Sequence, residues 1–228
     1  MVAAVIVAAG QGVRMQDPLR KQYLLLAGLP ILGHTLRVFD QCDLVDHIYL
    51  VVPQDDIDFC RQNILDPLKP GRRVQLLAGG ARRQESVYNG LQHVDPDCRI
   101  VVIHDGVRPF LQPDHLAACI GGARKFGACI LGVLAQDTLK QVDQSENIVG
   151  TIARDAIWLA QTPQAFRYDL IKKAHHQARL DGYQGTDDAS LVERLGQTVK
   201  IIHGSRSNIK ITNQEDLAIA RALFGAQP

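Results

Sequence analysis

The chain has 228 residues, 46% hydrophobic and 21% charged, the make-up of a globular protein with one sizeable core. Its 25 lysines and arginines offset 24 aspartates and glutamates to a formal net charge of +1. That balance excludes a generally basic surface, so the expected partners include neither nucleic acid nor an anionic membrane.

The first residues, MVAAVIVAAG, are apolar but too short to span a bilayer, and they lack a basic leader. They are expected to form a first strand in a cytoplasmic protein. The cysteines, Cys42, Cys60, Cys98, Cys119 and Cys129, are odd in number and show no C-x-x-C spacing. They are read as small buried hydrophobes rather than as zinc ligands or disulfides.

Near-continuous apolar runs predict strands buried on both faces. They are AAVIVAA from Ala3, HIYLVVP from His47, RVQLLAG from Arg73, RIVVIHD from Arg99 and ACILGVLA from Ala128. Helical patterns lie between them, over Pro30 to Asp40, Asp55 to Ile64, Arg83 to Val94 and Asp114 to Phe126. Pro30 suits a first helical turn. The alternation predicts an α/β fold with a Rossmann-like, mostly parallel sheet flanked by helices. Ligands then bind outside the carboxyl ends of the strands, where VAAGQG, LAGGAR and IHDGVRP lie.

From Asp137 to Arg154 the chain turns polar, with DQSEN as a turn, which predicts an antiparallel hairpin arm projecting over 137–155. Trp158 is expected to pack at its base. Helices follow near Tyr168 to Leu180, where His175 and His176 are read as solvated, and near Asp188 to Leu195, with Asp187 and Asp188 at its N-terminus. Then come a strand, TVKIIHG, an extended SNIKIT, and a last helix capped by Thr212 with Glu215. No repeat or linker divides the chain, so 1–228 is read as a single domain.

VAAGQGVRM carries the chemistry. It is no dinucleotide fingerprint, because Met15 stands where the last glycine is required, and no P-loop, because no G-K-[ST] follows. The plain alternative is a tight turn that needs glycine. Arg14 and Lys21 beside such a loop can instead meet a triphosphate whose oxygens face backbone N–H groups.

Followed by KQY, and with PILGHTL, GGARRQESV, HDGVRP, DTLK, TPQAF, TDDAS and NIKIT in order along the chain, this stretch resembles the nucleotidyltransferases that activate sugar or polyol phosphates. More narrowly, the chain is similar to the 2-C-methyl-D-erythritol 4-phosphate cytidylyltransferase family of the non-mevalonate isoprenoid pathway. The resemblance departs at three points. Arg20 replaces a proline before Lys21, Gly106 and Val107 replace alanines, and Ser207 stands where an acid is common.

The resemblance implies a nucleotidyltransferase moving CMP from CTP to the polyol phosphate, with Mg²⁺ held mainly by the triphosphate. Arg14 and Lys21 are the implied catalytic residues. Ala8, Ala9, Gly10, Gly12, Gly80, Arg83 and Ser86 are implied to bind the nucleotide, with Gly80 and Ser86 on cytosine and Arg83 supporting their loop. Asp105, Arg108, Thr138, Arg154, Thr186 and Lys210 are implied to bind the substrate. Asp105 has two readings, a metal ligand or, preferred, a group orienting ribose and substrate hydroxyls. The arm is implied to reach across a homodimer. A ribitol 5-phosphate cytidylyltransferase and a non-catalytic nucleotide-binding regulator are the alternatives.

Overall fold

The structure, a computed structural model, describes residues 1–10 and 19–225. Gly12 and Arg14 lie outside the described residues.

Strand β1 (Val2–Val7) is buried along its whole length. Its alternate side chains feed two cores, as the period of a strand dictates. Val2, Ala4 and Ile6 pack with Leu32, Leu36 and Phe39 of α1 (Ile31–Asp40) and with Leu116 and Ile120 of α5 (Pro113–Phe126). Ala3, Val5 and Val7 pack with Val87 and Leu91 of α4 (Arg83–His93) and with Ile171 and Ala174 of α6 (Tyr168–Leu180). Each core is filled by close packing; truncating the fully buried Phe39 to alanine costs about 3–5 kcal/mol.

The sheet has seven strands. Beside β1 lie β4 (His47–Val52), β5 (Arg73–Ala78), β6 (Ile100–Asp105), β7 (Ala128–Leu134), β10 (Trp158–Arg167) and β11 (Lys200–His203), in the order β11-β7-β10-β6-β1-β4-β5. All run parallel except β10, which is antiparallel to both β6 and β7. The five apolar runs are strands, as expected, but β5, at the edge of the sheet, is only partly buried rather than covered on both faces. β10 is an addition. Its run WLAQTPQAFR is polar and broken by Pro163, which disguises a central strand. The register shifts between Ala160 and Gln164, and this irregular stretch accommodates the proline.

Three expectations change in detail. The helix foreseen over Asp55 to Ile64 is a composite: a 3₁₀ turn (Gln54–Asp56), α2 (Ile57–Cys60), a π turn (Arg61–Leu65) and α3 (Asp66–Leu68). Pro67 has no N–H to continue the ladder, and the helix widens just ahead of it. Pro30 belongs to β3 (Leu29–Pro30), which pairs with β2 (Leu25–Leu26), and it precedes the first turn of α1. Ala27 and Gly28, with φ of 47° and 81°, make the left-handed two-residue turn of that hairpin. The cap of α8 (Gln214–Gly225) sits one residue later than foreseen. Asn213 Oδ1 accepts from Asp216 N at 2.8 Å, and Asp216 Oδ2 accepts from Asn213 N at 3.1 Å. The SNIKIT segment pairs with no strand; it is tied to the chain after β6 by Ile211 N donating to Val107 O at 3.0 Å.

The arm is present as β8 (Leu139–Val142) and β9 (Ile148–Ile152). Trp158 pairs with Leu134 at its foot and stacks edge-on against His203. All five cysteines are free and buried.

Candidate functional site

The carboxyl ends of four parallel strands are stitched together beyond the sheet. Ala8 N donates to Val51 O at 2.7 Å, Gly79 N to Val52 O at 2.8 Å and Gly106 N to Val7 O at 2.9 Å. Gln22, buried in the 3₁₀ turn Lys21–Tyr23, donates through Nε2 to Ala8 O at 2.8 Å and Gly10 O at 3.2 Å. The backbone leaving β1 is thereby fixed on both sides.

These ends enclose a cleft of about 190 Å³. Ala8, Ala9, Gly10, Lys21, Gly80, Arg83, Ser86, Asp105 and Lys210 line it, with Gln22 among them. Residues far apart in sequence therefore meet where the α/β topology puts ligands.

The loop from β5 into α4 closes on itself. Ser86 Oγ accepts from Gly80 N at 3.1 Å and donates to Arg82 O at 3.1 Å, while Glu85 Oε2 accepts from Ala81 N at 2.9 Å. Ser86 and Glu85 thus do the work expected of Arg83, whose side chain turns elsewhere. Arg83 Nε donates to Asp105 Oδ1 at 2.9 Å and Nη1 to Asp188 Oδ2 at 2.8 Å. Lys210 Nζ meets Asp105 Oδ2 at 2.9 Å, and Arg108 Nε approaches the same oxygen at 3.6 Å.

The charges follow from these contacts. Burial alone would raise the Asp105 carboxyl, but Arg83 and Lys210 hold it well below the usual carboxylate range. Asp188 is lowered against burial in the same way, by Arg83 and by His175, whose Nε2 lies 3.0 Å from Asp188 Oδ1. Burial disfavours charge on Arg83, yet Asp188 and Asp105 outweigh it and raise its pKa. His104 is pushed down by burial to about 3 and is neutral. Its Nε2 lies 3.2 Å from Arg108 O, which only accepts, so Nε2 carries the proton. Nδ1 then accepts from Thr162 Oγ1 at 3.0 Å, and Thr162 Oγ1 accepts from Asp105 N at 3.1 Å.

The remaining described candidates are not among the residues that line the cleft. Arg108 is mostly buried and donates through Nη1 to Asn208 O at 2.7 Å. Thr138 and Arg154 are exposed at the arm, where Arg154 Nη1 contacts Gln136 O. Thr186 is exposed just before α7 (Asp188–Arg194), which Asp187 caps by accepting from Ser190 N at 2.9 Å. His175 is buried, contrary to expectation; only His176 is exposed.

Sequence reasoning passed over Gln22, Thr162, Gln164, His175, Asp188 and Asn208 as individual site-building residues. Gln164 Oε1 accepts from the backbone of Asp188 and Ala189 at 3.1 Å, and Asn208 Nδ2 donates to Thr162 O at 2.8 Å. The signal was available in KQY, TPQAF, TDDAS and NIKIT, all dense in polar residues that a core must satisfy.

A parallel sheet with a cation-rich cleft at its strand ends and a hairpin arm defines a nucleotidyltransferase, and solved structures of such enzymes superpose on it. 4-Diphosphocytidyl-2C-methyl-D-erythritol synthase from Anaerococcus prevotii matches with a TM-score of 0.88 at 34% identity, over 98% of this chain and 96% of that one. The 2-C-methyl-D-erythritol 4-phosphate cytidylyltransferase of Francisella tularensis matches with a TM-score of 0.82 at 32% identity, over 97% and 98%. The family model for 2-C-methyl-D-erythritol 4-phosphate cytidylyltransferase covers residues 2–226. Relatives so named are 46% identical in Pelotomaculum thermopropionicum, over 99% of this chain and 95% of theirs, and 49% identical in Syntrophus aciditrophicus, over 98% and 95%. The chain belongs to the 2-C-methyl-D-erythritol 4-phosphate cytidylyltransferase family.

Proposed function

We propose that the protein transfers CMP from CTP to 2-C-methyl-D-erythritol 4-phosphate in isoprenoid precursor synthesis, giving the CDP-polyol and pyrophosphate. The observation that carries this reading is the cleft in which Lys21, Arg83, Lys210 and Asp105 converge beside the backbone of Ala8–Gly10 and Gly80, in a chain matched by the family model over residues 2–226.

The nucleophile is a phosphate oxygen with a second pKa of about 6, so it is already ionised at neutral pH. No general base is required. Asp105 is unsuited to that role, being ionised and engaged on both oxygens by cations. The demand is electrostatic: like-charged phosphates must be brought together and charge on the α-phosphate stabilised. Lys21 and Arg14 meet it in this reading. Gly80 and Ser86 shape the base subsite, and Ala8 and Gly80 carbonyls are suited to accept from the cytosine amine. Lys210, Arg108, Asp105 and Thr186 hold the polyol phosphate.

Among the described residues, Asp105 is the sole acidic side chain lining the cleft, and no cluster of three His, Cys, Asp or Glu could hold a metal. The donor set therefore fits Mg²⁺ carried on the triphosphate rather than in a protein cage, where it would neutralise phosphate charge. The arm exposes Val142, Ile148, Val149 and Ile152, apolar side chains that favour docking on a second copy, with Thr138 and Arg154 completing the partner's site. No helix of the described residues is long and apolar enough to cross a membrane, in keeping with an enzyme of the CTP-containing cytoplasm.

The test is pyrophosphate release from CTP and Mg²⁺ with each polyol phosphate offered separately. Turnover with methylerythritol phosphate at a kcat/KM well above that for ribitol 5-phosphate is expected. Preference for ribitol 5-phosphate would reassign the substrate, and CTP binding without turnover would make the protein a regulator.

A further inference from the structure

We propose that Asp56 is a positioning residue for Lys21: it tethers Arg20 and Tyr23, on either side of the Lys21–Gln22 pair, and so sets the approach of Lys21 to the cleft. The inference rests on the nucleotidyl-transfer reading for its effect on rate, and on geometry alone for its effect on the backbone.

Asp56 comes from the 3₁₀ turn that follows β4, outside the cleft lining. A single oxygen, Oδ2, receives Arg20 Nη1 at 2.5 Å and Tyr23 Oη at 2.8 Å. Tyr23 is 4% exposed, its ring packs on Phe59 with centroids 4.8 Å apart, and its hydroxyl accepts from Cys60 Sγ at 3.3 Å. Burial, Cys60 and Asp56 all push the Tyr23 phenol up, so it stays a donor. Gln22 is held independently by its bonds to Ala8 O and Gly10 O. Lys21 lines the cleft beside Gln22, and its chain neighbours are anchored to the segments that follow β1 and β4.

Arg20 shows why an ion pair serves here. Its backbone stands at φ −61°, ψ 139°, and that φ is the one a proline ring would impose covalently. In this chain the restraint is supplied by a charge-assisted hydrogen bond to Asp56. Two carbonyls depend on it: Tyr23 N donates to Arg20 O at 2.9 Å, and Leu24 N donates to Lys21 O at 3.3 Å.

The test uses the full chain with Asp56→Ala, Asp56→Asn, Arg20→Pro and the double variant Arg20→Pro/Asp56→Asn. Asp56→Ala is expected to lower kcat about tenfold while KM for CTP moves less than about threefold, and to speed exchange of the Tyr23 and Leu24 amides about tenfold. Arg20→Pro is expected to restore kcat of Asp56→Asn to within about threefold of wild type, since the ring replaces the lost tether. Wild-type kcat and exchange in Asp56→Ala would overturn the proposal. So would activity lost only in step with melting temperature, with no rescue by proline. If the wild-type protein turns over no polyol phosphate, the reading of its function fails, while amide exchange still decides the role of Asp56.

Discussion

Arg83 and Asp188 form an ion pair at 2.8 Å, with the Asp188 side chain only 1% exposed. Through it, α7 controls an arginine of α4 that in turn holds Asp105 at the end of β6.

Removing Asp188 leaves the buried His175 without this partner and Arg83 with Asp105 alone. Breaking a buried pair from one side costs up to about 3–5 kcal/mol, and Asp105 offsets part of that for Arg83. Asp188→Ala is therefore expected to lower the urea midpoint strongly and to weaken CTP turnover by releasing Arg83 toward Asp105 alone. An unchanged midpoint would show that water solvates Arg83 once Asp188 is gone.

Acid should unfold the protein in two stages. His104, lowered to about 3, stays neutral in the fold, whereas the unfolded chain takes up its proton below about pH 6.5. Stability is then complete above that value and falls as pH drops toward 3, by up to about 1.4 kcal/mol per pH unit for one proton. His34, lowered by burial, acts in the same direction. Asp105 and Asp188 are lowered in the fold, so their contribution is intact above about pH 4 and is lost below it. Chemical denaturation from pH 3 to 8 should show the slope steepen below 4, and Asp188→Asn should reduce that second slope. A flat profile from 6.5 to 4 would contradict the neutral His104.

Gly79 is where the loops after β1 and β5 touch. A Cβ there would stand 2.2 Å from Ala9 Cβ and 2.9 Å from Ser86 Oγ. Gly79→Ala must therefore push the two loops apart, and it is expected to raise KM for CTP about tenfold while the sheet stays folded. Circular dichroism and steady-state kinetics check the two halves. An unaltered KM would mean that the nucleotide does not bridge these loops.

Exchange of arms makes a different claim, about two chains. Lys21→Ala and Arg154→Ala should each lose about 10²–10³ in kcat. Refolded together at equal amounts, about half the dimers are mixed, and each mixed dimer has one site free of both changes. About a quarter of wild-type activity should return by this symmetry. No return from demonstrated mixed dimers would mean that each arm serves its own chain.

The central parallel strands were legible because burial on both faces leaves a simple trace, an apolar run such as AAVIVAA. The hairpin arm was legible for the opposite reason: its polar residues surround a turn and stay largely exposed. β10 was not, since Gln161, Thr162 and Gln164 are buried for their hydrogen bonds, and burial of that kind leaves no hydrophobic pattern. The cleft was legible in part. Gly80 and Asp105, from loops at strand ends, and Lys210, implied by the resemblance, meet there, while the partners of Arg83 lie 22 and 105 positions away in the chain, a pairing that local pattern cannot specify. Thr138, Arg154 and Thr186 are not among the residues that line it.

The one reversed strand also sets an order of assembly. β10 is the strand that lies between β6 and β7 in the sheet, and it follows both in the chain. During synthesis from the N-terminus, β5-β4-β1-β6 can pair as soon as residue 105 has emerged, but β6 keeps an open edge until Arg167 does. Such an edge invites pairing with another chain. A ribosome pausing between those points would hold half a sheet with its most apolar border uncovered, so this stretch is where the nascent protein most needs protection from aggregation.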